Sequence, residues 1–184
     1  MNIFYIVRHG ESEKNFPVQL ESCTMESANK YPLTKKGKQD ADTEAKKYND
    51  FFDVIITSPF LRAKETAESF FETSQSAEFI EDMRLKDLNV GIFDDKLLSD
   101  SDYYRNKELK NRPDIKFGGG EDLYEVQERM MKVVDDANVK YEYKNILLVS
   151  HGCPIEVLLD SFQEKQISYW DKSFPHTKVT KLTK

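Results

Sequence analysis

An α/β fold is predicted, on two observations. Short apolar runs of strand length alternate along the chain with longer segments of helical apolar spacing, the order expected of strand–helix units. Two of the runs then close on the same dipeptide: Ile3-Phe4-Tyr5-Ile6-Val7 leads into Arg8-His9-Gly10, and Ile146-Leu147-Leu148-Val149-Ser150 into His151-Gly152. Ligands of open α/β sheets bind beyond the carboxyl ends of the strands. Both histidines therefore stand where a ligand should, and the chain has only three.

The bulk properties narrow the field. With 184 residues the chain reads as one domain, residues 1–184. Lys plus Arg is 27, Asp plus Glu is 33, and the net charge is −6. This argues against a nucleic-acid partner, whose footprint is basic. An anion site on such a body must be locally basic, which screening over about 8 Å permits. Cys23 and Cys153 make no disulfide framework and point to a reducing compartment. Cys153 is expected as a small buried residue at a helix start. No signal pattern is seen and the first apolar run is too short to span a bilayer, so a cytoplasmic protein with no membrane partner is expected.

The first strand ends in a cation, a nucleophile and a glycine. Arg8 offers a planar fork of donors that matches phosphate oxygens. A neutral His9 can attack phosphorus, and Gly10 lets backbone approach the ligand. Residues 11–31 read as a loop over the site, with Asn15 within reach of a ligand. Thr34 is the expected N-cap of a helix carrying Ala41, Ala45 and Tyr48 on its packing face. Phe51–Ile56 is the expected second strand. A second helix should follow, with Ser58 as N-cap, Pro59 at the first position and Ala63, Thr66, Ala67 and Phe70 buried. Arg62 in its opening turns is placed as a second phosphate ligand, because a helix N-terminus at a strand's carboxyl end favours anions.

Glu78-Phe79-Ile80 is a third short strand, and Asp87 beyond it a candidate proton donor. From Phe93 to Phe117 the chain is polar, with Tyr103 and Tyr104 in a short helix and substrate contacts expected there. Gly118-Gly119-Gly120 reads as a flexible turn. Val126, Met130, Val133, Val134 and Ala137 form the stripe of a long core helix. Pro154 starts a helix carrying Ile155, Val157, Leu158 and Leu159. Residues 163–174 stay unassigned, Lys178–Leu182 reads as an edge strand with guarding lysines, and His176 as a loop residue with no motif around it.

Taken in order, these motifs resemble the histidine phosphatase superfamily, in the branch that includes cofactor-dependent phosphoglycerate mutases. The matching pieces are Val7-Arg8-His9-Gly10-Glu11-Ser12 with Asn15, Pro32–Gly37, Ser58–Ala67, Leu85-Lys86-Asp87 with Gly91, Gly119-Gly120-Glu121 and Val149-Ser150-His151-Gly152. The resemblance implies a three-layer α/β/α sandwich with a mostly parallel sheet. It implies His9 as the nucleophile that becomes phosphorylated. Arg8, Arg62 and His151 would bind the phosphoryl group, Asn15 and Gly152 would contact substrate, and Asp87 would be the proton donor. A backbone carbonyl would hold the far nitrogen of a neutral His9, and His151 would be protonated. No metal or other cofactor is implied. One departure is visible: this branch usually carries glutamate where Asp87 stands, and a misplacement near 1 Å can cost on the order of a hundredfold in rate.

Hydrolysis of a small phosphorylated metabolite is the expected activity, because the segment from Asp87 to Gly120 lacks the longer insertion by which mutases enclose a bisphosphate. A phosphoglycerate mutase is the alternative enzyme. A phospho-ligand-binding regulator with weakened catalysis is the alternative of another class, with Asp87 its support. Oligomeric state is not encoded in any visible pattern.

Overall fold

The computed structural model describes residues 1–15, 19–74, 76–99, 112–167 and 174–183. Its centre is a sheet of β1 (Ile3–Arg8), β2 (Val54–Thr57), β3 (Glu78–Glu81), β4 (Asn145–Ser150) and β5 (Thr180–Lys181), ordered β3-β2-β4-β1-β5. The first four run parallel, and β5 is antiparallel to β1. The last-formed parallel strand, β4, thus lies between β1 and β2. Arg8 pairs with Ser150 and Thr57 with Val149, so three strands end side by side. The His9 N–H donates to the Ser150 carbonyl at 3.0 Å and the Ser58 N–H to Val149 at 2.9 Å. Both His-Gly units therefore leave the sheet at one edge, where the parallel order switches.

Helices cover both faces. On one side α2 (Lys35–Ala45) and α3 (Leu61–Glu72) bury Ala45, Ala63, Ala67 and Phe70 against Val7, Ile55, Leu147 and Val149. On the other, α4 (Leu123–Lys140) and α5 (Gly152–Phe162) bury Val126, Met130, Val133, Ile155 and Leu158 against Phe4, Ile6, Ile56, Ile146 and Leu148. Successive strand residues thus serve opposite layers, which is why the strands read as unbroken apolar runs. A short α1 (Met25–Ala28) lies in the loop after β1. The architecture is the three-layer α/β/α sandwich with a mostly parallel sheet that the sequence implies.

Local differences have physical reasons. β2 begins at Val54, not Phe51. Phe51 and Phe52 instead join Tyr5 and Tyr48 in an aromatic cluster with ring centroids 5.2–5.7 Å apart. The N-cap of α3 is Phe60, not Ser58, and Pro59 precedes the helix; the Ser58 hydroxyl is engaged elsewhere. Gly118–Gly120 is no flexible turn: Gly91, at φ +54°, packs so closely on it that a Cβ would lie 1.9 Å from the Gly118 carbonyl oxygen. Of the expected edge strand only Thr180 and Lys181 pair with β1. Tyr103 and Tyr104 lie outside the described residues.

The loop leaving β1 seats directly on the start of α2, where Thr34 caps the helix by accepting from the Gly37 N–H. A Cβ on Gly37 would lie 2.0 Å from the Glu11 carbonyl oxygen. Gly37→Ala should therefore destabilise the fold by about 2 kcal/mol or more, read as a lower urea midpoint. An unchanged midpoint would show that the loop yields freely.

Candidate active site

His9 is buried where β1 ends. Its Nδ1 lies 2.7 Å from the Gly10 carbonyl oxygen. A carbonyl only accepts, so Nδ1 carries the proton and Nε2 presents a lone pair. That lone pair accepts from Arg62 Nε at 3.2 Å. Burial first, then Arg62, His151, Arg8 and His176, holds the His9 pKa well below the usual histidine range. The ring is thus neutral, oriented and nucleophilic at Nε2.

Arg62, fully buried in the first turn of α3, organises the other groups. Its Nη1 donates to Ser22 Oγ at 3.3 Å and its Nη2 to the Ser22 carbonyl at 3.1 Å. Nη2 also meets Asp87 Oδ2 at 3.1 Å. The same carboxylate oxygen lies 3.2 Å from Lys14 Nζ and 3.7 Å from His151 Nδ1. Burial pushes the Asp87 carboxyl up. Lys14, Arg62, His9 and the Leu88 N–H outweigh it, and its pKa falls to about 2. Asp87 is therefore an anion at neutral pH. In that form it is suited to accept a proton.

His151, also buried, is the N-cap of α5, at the positive end of that helix. Its ring centroid is 5.1 Å from that of His9. Nε2 lies 2.9 Å from Ser58 Oγ, which itself accepts from the Phe60 N–H. Nδ1 faces the Asp87 carboxylate, which only accepts, so the neutral ring is best met with its proton on Nδ1 and Nε2 accepting from the Ser58 hydroxyl. Burial, then Arg62, Lys14, Arg129 and Arg8, holds the His151 pKa well below the usual range.

Arg8 is half-buried with its guanidinium over Gly152, where a Cβ would meet Arg8 Cζ at an ordinary contact distance of 3.6 Å. Arg8 Nη1 donates to the Phe174 carbonyl at 2.8 Å, and the Phe174 N–H to Glu156 Oε1 at 3.1 Å. Burial pushes the Glu156 carboxyl up to about 7. The Asn15 side-chain oxygen accepts from the Ser12 N–H at 3.4 Å and hydroxyl at 2.9 Å, which closes the turn after His9.

Several partners lay outside the sequence reading. His176 Nδ1 sits 2.6 Å from the His9 carbonyl oxygen, and its ring 5.4 Å from that of His9. Lys14 and Ser58 meet Asp87 and His151 only through tertiary contacts. Arg129 on α4 donates to the carbonyls of Arg84, Lys86 and Asp87 and pairs with Glu121, and Ser150 Oγ donates to the Leu85 carbonyl. The loop bearing Asp87 is thus pinned from both α4 and β4. None of these residues stands in a spacing that announces it.

Among the described residues no three His, Cys, Asp or Glu side chains are grouped to hold a metal ion, and no helix is long and apolar enough to cross a membrane.

The family model for the histidine phosphatase superfamily (branch 1) matches residues 4–184, and the chain belongs to that superfamily. It is 30% identical over 161 residues to a protein of Bacillus subtilis named uncharacterized phosphatase PhoE, covering 86% of this chain and 76% of the relative. It is 30% identical over 160 residues to a probable phosphoglycerate mutase GpmB of Photorhabdus laumondii, covering 84% and 72%. The phosphoserine phosphatase of Entamoeba histolytica, solved with 3-phosphoglyceric acid, superposes with a TM-score of 0.82 at 23% identity, over 98% of this chain and 90% of that one.

The histidines also bind folding to pH. All three are held below their ordinary value of 6.5, His176 to about 4. Unfolded histidines take up protons that the folded ones refuse, so stability is complete above about pH 6.5 and is lost as pH falls below it. The Asp87 contribution, present above about pH 4, is lost only towards pH 2. Glu156 acts the other way, since its carboxyl, pushed up to about 7 in the fold, gives up its proton on unfolding in this window. The urea midpoint should fall between pH 7 and pH 5, with a net uptake on unfolding of about two protons near pH 5. His176→Asn should remove about one of them; a flat profile would contradict the assigned ionisation states.

Proposed function

We propose that this member of the histidine phosphatase superfamily is a phosphomonoester hydrolase that works through a phosphohistidine on His9. The observation that carries the reading is the tautomer: Nδ1–H is given to Gly10, which puts the lone pair on Nε2, beside the Arg62 guanidinium, where it can attack. Phosphoryl transfer asks for positioning and charge neutralisation more than for covalent machinery. Arg8 and Arg62 supply the charge. The Nδ1–H of His151 supplies a further donor, and an entering phosphate dianion raises the tendency of that histidine to protonate. Ionised Asp87 is the base for the water that cleaves the phosphohistidine.

The substrate is a small phosphorylated metabolite. The names phosphatase and probable phosphoglycerate mutase among the relatives support this class and keep a mutase as the second reading. Hydrolysis is preferred because Gly91 is followed by a tight turn, Gly91–Phe93, and by Asp94, whose carboxylate accepts from Cys23, Thr24 and Ser27. These contacts tie the post-acid segment down onto the β1 loop.

In a phosphate-release screen over phosphorylated metabolites, His9→Ala should lose about a thousandfold or more in kcat. An alkaline denaturing quench of the wild type should yield a phosphoryl adduct on His9. Full turnover by His9→Ala would refute the mechanism. Interconversion of 2- and 3-phosphoglycerate with 2,3-bisphosphoglycerate supplied, without phosphate release, would establish the mutase instead.

A further inference from the structure

The Nδ1 proton of His9 is held by the carbonyl of the next residue, so the aim of the nucleophile depends on how the peptide between His9 and Gly10 is turned. Gly10 must be glycine, because a Cβ there would lie 2.7 Å from the Gly37 carbonyl oxygen. A glycine restrains its own backbone weakly, so this peptide plane has to be held from outside. Both of its polar ends are held. The Gly10 N–H donates to Thr66 Oγ1 at 3.0 Å, whose hydroxyl donates to the Arg62 carbonyl at 2.7 Å. At the other end the His9 carbonyl oxygen lies 2.6 Å from His176 Nδ1. A carbonyl only accepts, so His176 carries its proton on Nδ1 and donates it here. The half-buried His176 ring also lies against that of His9, with centroids 5.4 Å apart. The backbone that presents His176 is itself fixed. Its carbonyl accepts from the Thr177 hydroxyl and the Lys178 N–H, each at 2.8 Å, and the Thr177 N–H donates to the Arg8 carbonyl at 2.9 Å.

We propose that His176 is a positioning residue for the nucleophile: by donating Nδ1–H to the His9 carbonyl it locks the His9–Gly10 peptide, and through it the tautomer that keeps the lone pair on Nε2. The proposal rests on the His9 reading above. It requires no contact between His176 and substrate. Without the lock the Gly10 carbonyl no longer stays opposite His9 Nδ1. An unpaired N–H in a buried ring is costly, so the imidazole turns or carries its proton on Nε2, and in either case attack is lost. Anchoring of the returning chain does not call for a side-chain donor here, because the Thr177–Arg8 backbone bond already seats that segment beside β1. The donor is supplied at the one carbonyl whose orientation the nucleophile depends on.

Asparagine and leucine match in size and differ in the donor, which separates positioning from packing. Wild type, His176→Asn and His176→Leu are compared by imidazole nitrogen NMR, which reads the His9 tautomer without substrate, and by kcat and KM for p-nitrophenyl phosphate. His176→Asn, whose amide N–H replaces the donor, should keep a single His9 tautomer and kcat within a few-fold. His176→Leu should show mixed His9 tautomers and lose about tenfold or more in kcat. Its KM should stay within a few-fold, because the groups that hold the phosphoryl group are untouched. A single Nδ1–H tautomer with undiminished kcat in His176→Leu, or equal losses in both variants, would overturn the assignment. Should the leucine variant not fold, the asparagine variant decides: a mixed tautomer or reduced kcat in it overturns the proposal, and wild-type values support it. A wild type whose His9 proton sits on Nε2 would instead overturn the reading on which the proposal rests.

Discussion

A guanidinium with no solvent exposure is the constraint around which this site is built. Arg62 is fully buried, and a buried cation is tolerated only when its donors are met and its charge balanced. The Ser22 hydroxyl and carbonyl, His9 Nε2 and Asp87 Oδ2 meet them. Those acceptors come from three separate stretches: the β1 exit, the loop before α1 and the loop after β3. Satisfying Arg62 therefore pulls nucleophile and carboxylate into one small volume.

The same constraint sets the charges. Cations crowd His9 and His151, and burial adds to their effect, so both rings are neutral. The carboxylate of Asp87 sits among the same cations and is driven the other way. The neutral rings of His9 and His151, the cations Arg8, Arg62 and Lys14 and the carboxylates of Asp87 and Glu21 are thus gathered beyond the ends of β1 and β4. Such a set is stable in itself, since Asp87 offsets Arg62 and Lys14, yet it retains excess positive potential for a dianion. Groups pushed apart in this manner are assigned different proton tasks by their surroundings alone.

Much of this was legible in the sequence because it depends on local rules. Strand runs ending in His-Gly give β1 and β4, and the apolar stripe of 126–137 gives α4. Arg62 was legible because a helix start after a strand constrains where it points. What was not legible depends on contacts between distant segments. Lys14 reads as an ordinary loop lysine until Asp87 is brought 3.2 Å from it. Ser58 has the composition of an N-cap, and it lost that role because its hydroxyl reaches His151, 93 residues away. His176 has no motif because the return of the chain beside β1, not any local pattern, delivers it to the His9 carbonyl.

That return segment also explains how a strand-end arginine keeps its direction. An arginine at a strand end commonly follows solvent with its side chain. Here the Thr177 N–H donates to the Arg8 carbonyl at 2.9 Å, while Arg8 Nη1 donates to Phe174, whose own N–H is held by Glu156 of α5. Backbone and side chain of Arg8 are thus fixed from the same stretch, and α5 fixes that stretch in turn. Because His151 is the N-cap of α5, the helix that places this histidine also anchors Arg8 through residues 174–177. The pairing of β1 with β4 brings the two histidines together, and this second tie keeps the arginine between them.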